Sequence, residues 1–232
     1  MSATTTQQPP QGGQVDDYPL IVDHGMIGDL QTATLVTTDG SIDWFCAPRF
    51  DSPTLFGSSL DSVGGGRFQI RPSSGTFDTK KMYLPDTATL ITRFLSNAGV
   101  GEIQDFMPIS GKVATDRHRL VRMLRCVRGE VTFDIDIAPR FDYGRAAHTA
   151  ELTPHGAVFR SDKGPMTMHA VREPDDEHLV HAQTTDAGDI HLSLTLTAGQ
   201  ARGVILETGH AGPAHEVPVS EMQRLFDDTA HY

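Results

Sequence analysis

The sequence predicts an all-β protein, a large antiparallel β-sandwich followed by the start of a linker helix, and three observations point there. From about Tyr18 the chain runs through short segments that alternate apolar and polar residues at period two, the pattern of half-buried strands. Clusters of Gly, Pro, Asn and Asp separate these segments at short intervals, which suits hairpins rather than the long crossovers of a parallel sheet. Helical spacing takes over only after residue 217. With 232 residues and 38% hydrophobic side chains, the chain can fill one large core.

Taken in order, residues 1–17 form a Thr/Gln/Pro/Gly-rich tail with neither the basic nor the apolar stretch of a signal peptide, and are expected to be disordered. Residues 18–217 are the sandwich. Within it, Thr32–Thr37 and Ile42–Cys46 flank Asp39-Gly40, whose glycine supplies the positive φ of a tight hairpin turn. Ser52-Pro53 then reads as a helix N-cap followed by proline at the first helical position, giving one or two turns up to Leu60 before Gly64-Gly65-Gly66 ends them. Strands are expected over Arg67–Arg71, Phe77–Leu84, Ala88–Ser96 and Val100–Met107, the last two joined by the Asn97-Ala98-Gly99 turn. Arg117–Arg128 alternates two faces, one of them partly charged, and Val131–Ile137 alternates cleanly against Thr132, Asp134 and Asp136. Val158–Arg160, Met166–Val171, Leu179–Gln183, Ile190–Thr197 and Val204–Glu207 complete the set. In residues 218–232, Ser220 and Gln223 have the capping-box spacing, and Met222, Leu225, Phe226 and Thr229 form a helical stripe with no stop signal before Tyr232. The expectation is a truncated chain whose next segment is helical.

Charge narrows the partners. A formal net charge of −11 and the absence of any Lys/Arg cluster argue against nucleic acid and against an anionic membrane surface, because both need many cations on one face. No apolar run reaches membrane-spanning length, and two cysteines, Cys46 and Cys126, are too few for a disulfide framework. They read as small buried hydrophobes, and a cytoplasmic protein is expected.

No local motif assembles a nucleophile, a metal cage or a phosphate loop. Gly64-Gly65-Gly66 lacks the helix and lysine of a phosphate loop, and His178 and His181, three apart on a strand, point to opposite faces. His24, in the stretch Asp23–Asp29, is either a turn histidine with local bonds or a contact residue, since Gly25 and Gly28 suggest close backbone approach. Asp29 is a further candidate in the same stretch. Asp43 beside Trp44 could hydrogen-bond and stack a sugar, or Trp44 could be the central packing residue of the sandwich. The pentapeptide Ala-Pro-Arg-Phe-Asp occurs twice, at 47–51 and 138–142, each time after a strand-like run and with unlike flanks. It is read as two similar strand ends. Arg49 with Asp51, and Arg140 with Asp142, would contact a ligand or, by preference, form ion pairs that fasten one domain to another, with both arginines toward one side.

These residues carry a resemblance. Asp23–Asp29, Asp39-Gly40-Ser41-Ile42-Asp43-Trp44, Pro48-Arg49-Phe50-Asp51-Ser52-Pro53, Tyr83-Leu84-Pro85-Asp86-Thr87, Asp105-Phe106-Met107-Pro108, Pro139–Gly144 and Thr229–Tyr232 together resemble the amino-terminal domain of bacterial family 15 glycoside hydrolases. Within that family of trehalase and glucoamylase-like enzymes, the likeness is greatest to the trehalases. The resemblance implies a super-sandwich joined through a helical linker to an (α/α)6 catalytic barrel, which would be this domain's partner. It further implies that two barrel glutamates hydrolyse a small sugar with inversion, one as acid and one as base. Neither has a counterpart here, so no catalytic residue and no metal ligand is carried over, and the chain alone is expected to be inactive. No cofactor is expected in this chain, whereas trehalases of this type can require phosphate and Mg²⁺ as whole enzymes. A glucoamylase of the same family and a free-standing carbohydrate-binding sandwich are the alternatives.

Overall fold

The computed structural model of the chain describes residues 18–109, 115–173, 176, 182–209 and 212–231. The expected tail, His178 and His181, and the terminal Tyr232 lie outside the described residues. A 3-10 turn, Ile21–Asp23, leads into β1 (His24–Gly28), β2 (Ala33–Thr37), β3 (Ser41–Cys46), β4 (Thr54–Phe56) and β5 (Arg67–Pro72). Then follow β6 (Asp78–Tyr83), β7 (Leu90–Leu95), β8 (Gly99–Phe106) and the long β9 (His118–Ala138). The remainder comprises β10 (His148–Thr153), β11 (Gly156–Ser161), β12 (Gly164–Arg172), β13 (Gln183–Thr184), β14 (Ile190–Thr197), β15 (Ala201–Thr208), β16 (Val217–Pro218) and α1 (Val219–Ala230).

Two sheets share β9. The first runs β1-β2-β3-β5-β9-β14-β13, with β4 on β3, and the second runs β6-β7-β8-β9-β15-β12-β11-β10. All pairings are antiparallel except β16 on β12. Sequence alternation suggested two strands where there is one, because Gly129 permits a bend without a break. Its φ is +70°, and an added Cβ would lie 2.1 Å from the Ala98 carbonyl oxygen. On one side of it, residues pair with β8 and β15; on the other, with β5 and β14.

Inner faces of both sheets meet in one core. Ile42, Phe68, Phe133 and Ile135 from the first sheet pack with Leu90, Ile103, Leu124 and Phe159 from the second. The second sheet also buries part of its outer face, where Phe106, Val121, Met123 and Ile205 lie under Met222 of α1. Phe226 sits edge-on to Phe106 with ring centroids 5.6 Å apart. Both cysteines are free and buried.

Three local expectations are corrected. Residues 52–60 are not helical: Thr54–Phe56 pairs with β3, all three side chains are buried, and Ser52 Oγ accepts the Arg49 amide. Burial of Leu55 and Phe56 outweighs the Ser-Pro start signal. The helix begins at Val219 with Pro218 at its N-cap and no side-chain cap, so Ser220 lies inside its first turn. Within the Asp23–Asp29 stretch, His24–Gly28 is an edge strand, so His24 is a strand residue rather than a turn histidine. The strand's glycines serve close approach, since a Cβ on Gly25 would meet Leu90 Cδ2 at 2.7 Å and one on Gly28 the Thr32 carbonyl oxygen at 2.7 Å.

Candidate functional site

The sheet-one end of the molecule gathers most of the sequence-derived candidates. At the β2–β3 bulge, Asp43 has no register partner on β2, and its side chain turns to His24 on β1. His24 Nε2 lies 2.8 Å from Asp43 Oδ2, and Nδ1 lies 2.8 Å from the Leu20 carbonyl oxygen. Because a carbonyl only accepts, Nδ1 carries a proton; the short Nε2–Oδ2 contact then needs a second proton between ring and carboxyl. Burial pushes the Asp43 carboxyl above its usual range, opposed by His24. The other oxygen, Oδ1, is buried without a partner among the described residues. Lys81 of β6 reaches over to donate to the Asp23 and Val36 carbonyl oxygens, and burial holds its ammonium below the ordinary lysine range.

Asp29 belongs to a different cluster. Its Oδ1 accepts the Gln31 and Thr32 amides at 3.1 and 2.9 Å, while Oδ2 meets His118 Nδ1 at 2.5 Å in the interior. Burial pushes this carboxyl up, but the His118 bond and the two amides outweigh it and hold it below the usual range. Asp29 and Asp43 are therefore not brought together as one pair of interacting carboxylates.

Trp44 is half-buried and does not join the aromatic core, which is built from Phe45, Phe56, Phe68, Phe94 and Phe133. The two pentapeptide arginines follow β3 and β9 at the same end of the first sheet, and the Arg140 amide donates to the Leu55 carbonyl oxygen of β4 at 2.8 Å. Arg49 pairs with Asp51 in an exposed position, Nε to Oδ1 3.0 Å. Arg140 does not pair with Asp142. It grips Asp189 with both terminal nitrogens at 2.5 and 3.0 Å, while Asp142 takes Arg145 at 2.7 Å. Asp142 and Tyr143 both have positive φ, so the backbone turns the Asp142 carboxyl away from its predicted partner.

Sequence reasoning missed two clusters. Arg122, on the inner face of β9, is fully buried and bidentate to Asp105 directly opposite on β8, at 2.8 and 3.2 Å. It also donates to the Phe68 and Gly40 carbonyl oxygens at 2.8 and 2.7 Å and lies over the Phe68 ring. On β12, buried His169 lies against His215 with centroids 4.1 Å apart and ring planes tilted by 48°, beside Glu207, which Arg117 holds at 2.7 and 2.9 Å. Burial, aided by His215, lowers His169 to about 4. The joint spacing of His169, Glu207 and His215 carries no motif that would have flagged it. Among the described residues, no group of three His, Cys, Asp or Glu side chains could hold a metal ion, and no helix is long and apolar enough to cross a membrane.

Fold and surface thus define an all-β sandwich with a packed C-terminal helix and one end lined by carboxylates and arginines. Residues 15–198 match the family model described as trehalase-like, N-terminal. The chain belongs to that trehalase-like N-terminal family. Relatives include a trehalase of Thermoplasma volcanium, 38% identical over 64% of this chain and 24% of that protein. A trehalase of Mycolicibacterium smegmatis is 31% identical over 72% of this chain and 26% of that protein; one of Mycobacterium tuberculosis is 30% identical over 64% and 24%. The chain spans about a quarter of the length of these relatives.

Proposed function

We propose that this chain is the non-catalytic sandwich portion of a trehalase-type family 15 glycoside hydrolase. In this reading an (α/α)6 barrel supplies the two glutamates, inverts the anomeric centre and hydrolyses α,α-trehalose to glucose in the cytoplasm. The observation that carries it is the family match over residues 15–198 together with trehalase relatives of about four times the matched length. The sandwich would buttress the barrel and shape one rim of the active-site mouth. Its surface suits that role, because Leu20, Ile21 and Val22 on the 3-10 turn, Met26 on β1 and Phe50 between Arg49 and Asp51 are all exposed. In this reading phosphate and Mg²⁺ are requirements of the whole enzyme.

Assay of the full-length protein against trehalose and maltooligosaccharide tests the reading. Glucose release from trehalose is expected from the full-length protein and not from the 232-residue chain. Activity that survives deletion of residues 18–232 would overturn the support role, and preference for maltooligosaccharide would move the assignment to a glucoamylase. Leaving out phosphate or Mg²⁺ in the same assay tests the cofactor requirement.

A further inference from the structure

A polar trough lies on the outer face of the first sheet, a pocket of about 240 Å³ between β3 and β5 that Tyr18 and the 58–62 turn border. Its floor is buried: Thr37, Ser41, Asp43 and Gln69 are each less than a tenth exposed, although they point away from the sandwich core. Outward residues of a solvated sheet face are ordinarily wet, so a buried polar floor marks a recess rather than a plain surface. The floor is also pre-ordered. Gln69 Nε2 donates to Ser41 Oγ at 2.8 Å and to Asp39 Oδ2 at 3.0 Å, and Asp39 takes the Ser41 amide at 3.2 Å.

What remains unsatisfied indicates what fits. Asp43 Oδ1 is a buried acceptor without a partner among the described residues, and an unpaired buried oxygen of this kind costs about 1–3 kcal/mol unless something donates to it. Around it, Arg67 and Arg71 are exposed and form no ion pair among the described residues. Ser58 and Ser62 add hydroxyls at the border. Acceptors on the floor and donors on the walls complement a ligand whose every polar group can both donate and accept, which is the property of a hydroxyl. The charges select against ions: the carboxylates of Asp39 and Asp43 oppose an anion, and the two guanidinium groups oppose a cation. At about 240 Å³ the trough is smaller than the roughly 300–1,000 Å³ of pockets for drug-sized ligands, which suits a ligand no larger than a single sugar ring.

From this geometry we infer that the outer face of the first sheet carries a binding site for a neutral, monosaccharide-sized polyol, with Asp43, Gln69, Arg67 and Arg71 as its contacts. The site stands on the sandwich itself and does not depend on the trehalase-type assignment. D-glucose, glycerol and inorganic phosphate, each titrated into the isotope-labelled 232-residue chain and followed by amide chemical shifts, test it. Saturable shifts with glucose, centred on Ser41, Asp43 and Gln69, are expected. Arg67→Ala and Arg71→Ala, both at exposed wall positions, should each weaken binding by about tenfold while leaving shift dispersion and melting temperature unchanged, and Arg49→Ala, outside the trough, should leave binding as it is. Absence of saturable glucose shifts would overturn the proposal, as would saturable shifts that neither trough variant weakens. Tighter binding of phosphate than of glucose would overturn the neutral-ligand assignment, whatever the full-length protein hydrolyses.

Discussion

Arg122 is the side chain on which both sheets converge, since one guanidinium binds Asp105 of the second sheet and the Phe68 and Gly40 carbonyls of the first. Removing one partner of a buried pair leaves a charge without compensation, so Arg122→Met is expected to cost about 3–5 kcal/mol in denaturant unfolding. Arg122→Met with Asp105→Leu should recover much of that loss, because the desolvated carboxylate goes too; an additive double variant would show the two do not act as a pair. His169 gives a pH signature. Its folded pKa of about 4 lies below the ordinary histidine value of 6.5, so between these values the unfolded chain binds a proton that the folded chain refuses. Stability from this group is therefore full above pH 6.5 and falls as pH drops toward about 4, by up to about 3 kcal/mol. Melting temperature against pH should show that slope, and His169→Gln should flatten it. Neither residue was legible in the sequence. An arginine in a period-two run looks the same facing water or core, and only the register that sets Arg122 opposite Asp105 decides it.

At the scale of elements, strands with clean alternation were legible because burial of one face fixes their period: Val131–Ile137 and Ile190–Thr197 lie where alternation places them. Turn chemistry was less reliable than burial. The Ser52-Pro53 start signal lost to the burial of Leu55 and Phe56 on the strand that pairs beside β3, and the bend at Gly129 was hidden because a glycine between two alternating runs reads as a break between two strands. Gly129→Ala tests that bend. The residue needs φ +70° and has no room for a Cβ beside the Ala98 carbonyl, so a loss of about 1–3 kcal/mol in thermal or denaturant unfolding is expected. Helix α1 is held by its apolar stripe rather than by a cap. Met222→Ala should cost about 2–5 kcal/mol and raise hydrogen exchange across residues 219–230, whereas Ser220→Ala should cost little because its side chain caps nothing.

For the whole molecule, the question is which surface the sandwich offers to a larger assembly. Isolated exposed aliphatics need no explanation, yet Leu20, Ile21 and Val22 stand together on one turn, with Met26 on the edge strand that follows. None of them contributes to the core, so their removal should leave the sandwich itself intact. If this face meets the catalytic portion, the Ile21→Asp/Val22→Asp double variant places two charges into an apolar contact, at a cost of several kcal/mol in the assembled protein. The expected outcome is asymmetric. The 232-residue chain keeps its melting temperature to within the roughly 0.5 kcal/mol typical of surface changes, while the full-length protein loses trehalose hydrolysis or melts earlier. Equal effects on both would place these residues in the fold of the sandwich, and no effect on either would place the contact on another face. Arg49→Ala gives the matching test at the opposite kind of contact: its exposed pair with Asp51 adds at most about 1 kcal/mol to the isolated chain, so any larger loss in the full-length protein must come from what the arginine meets there.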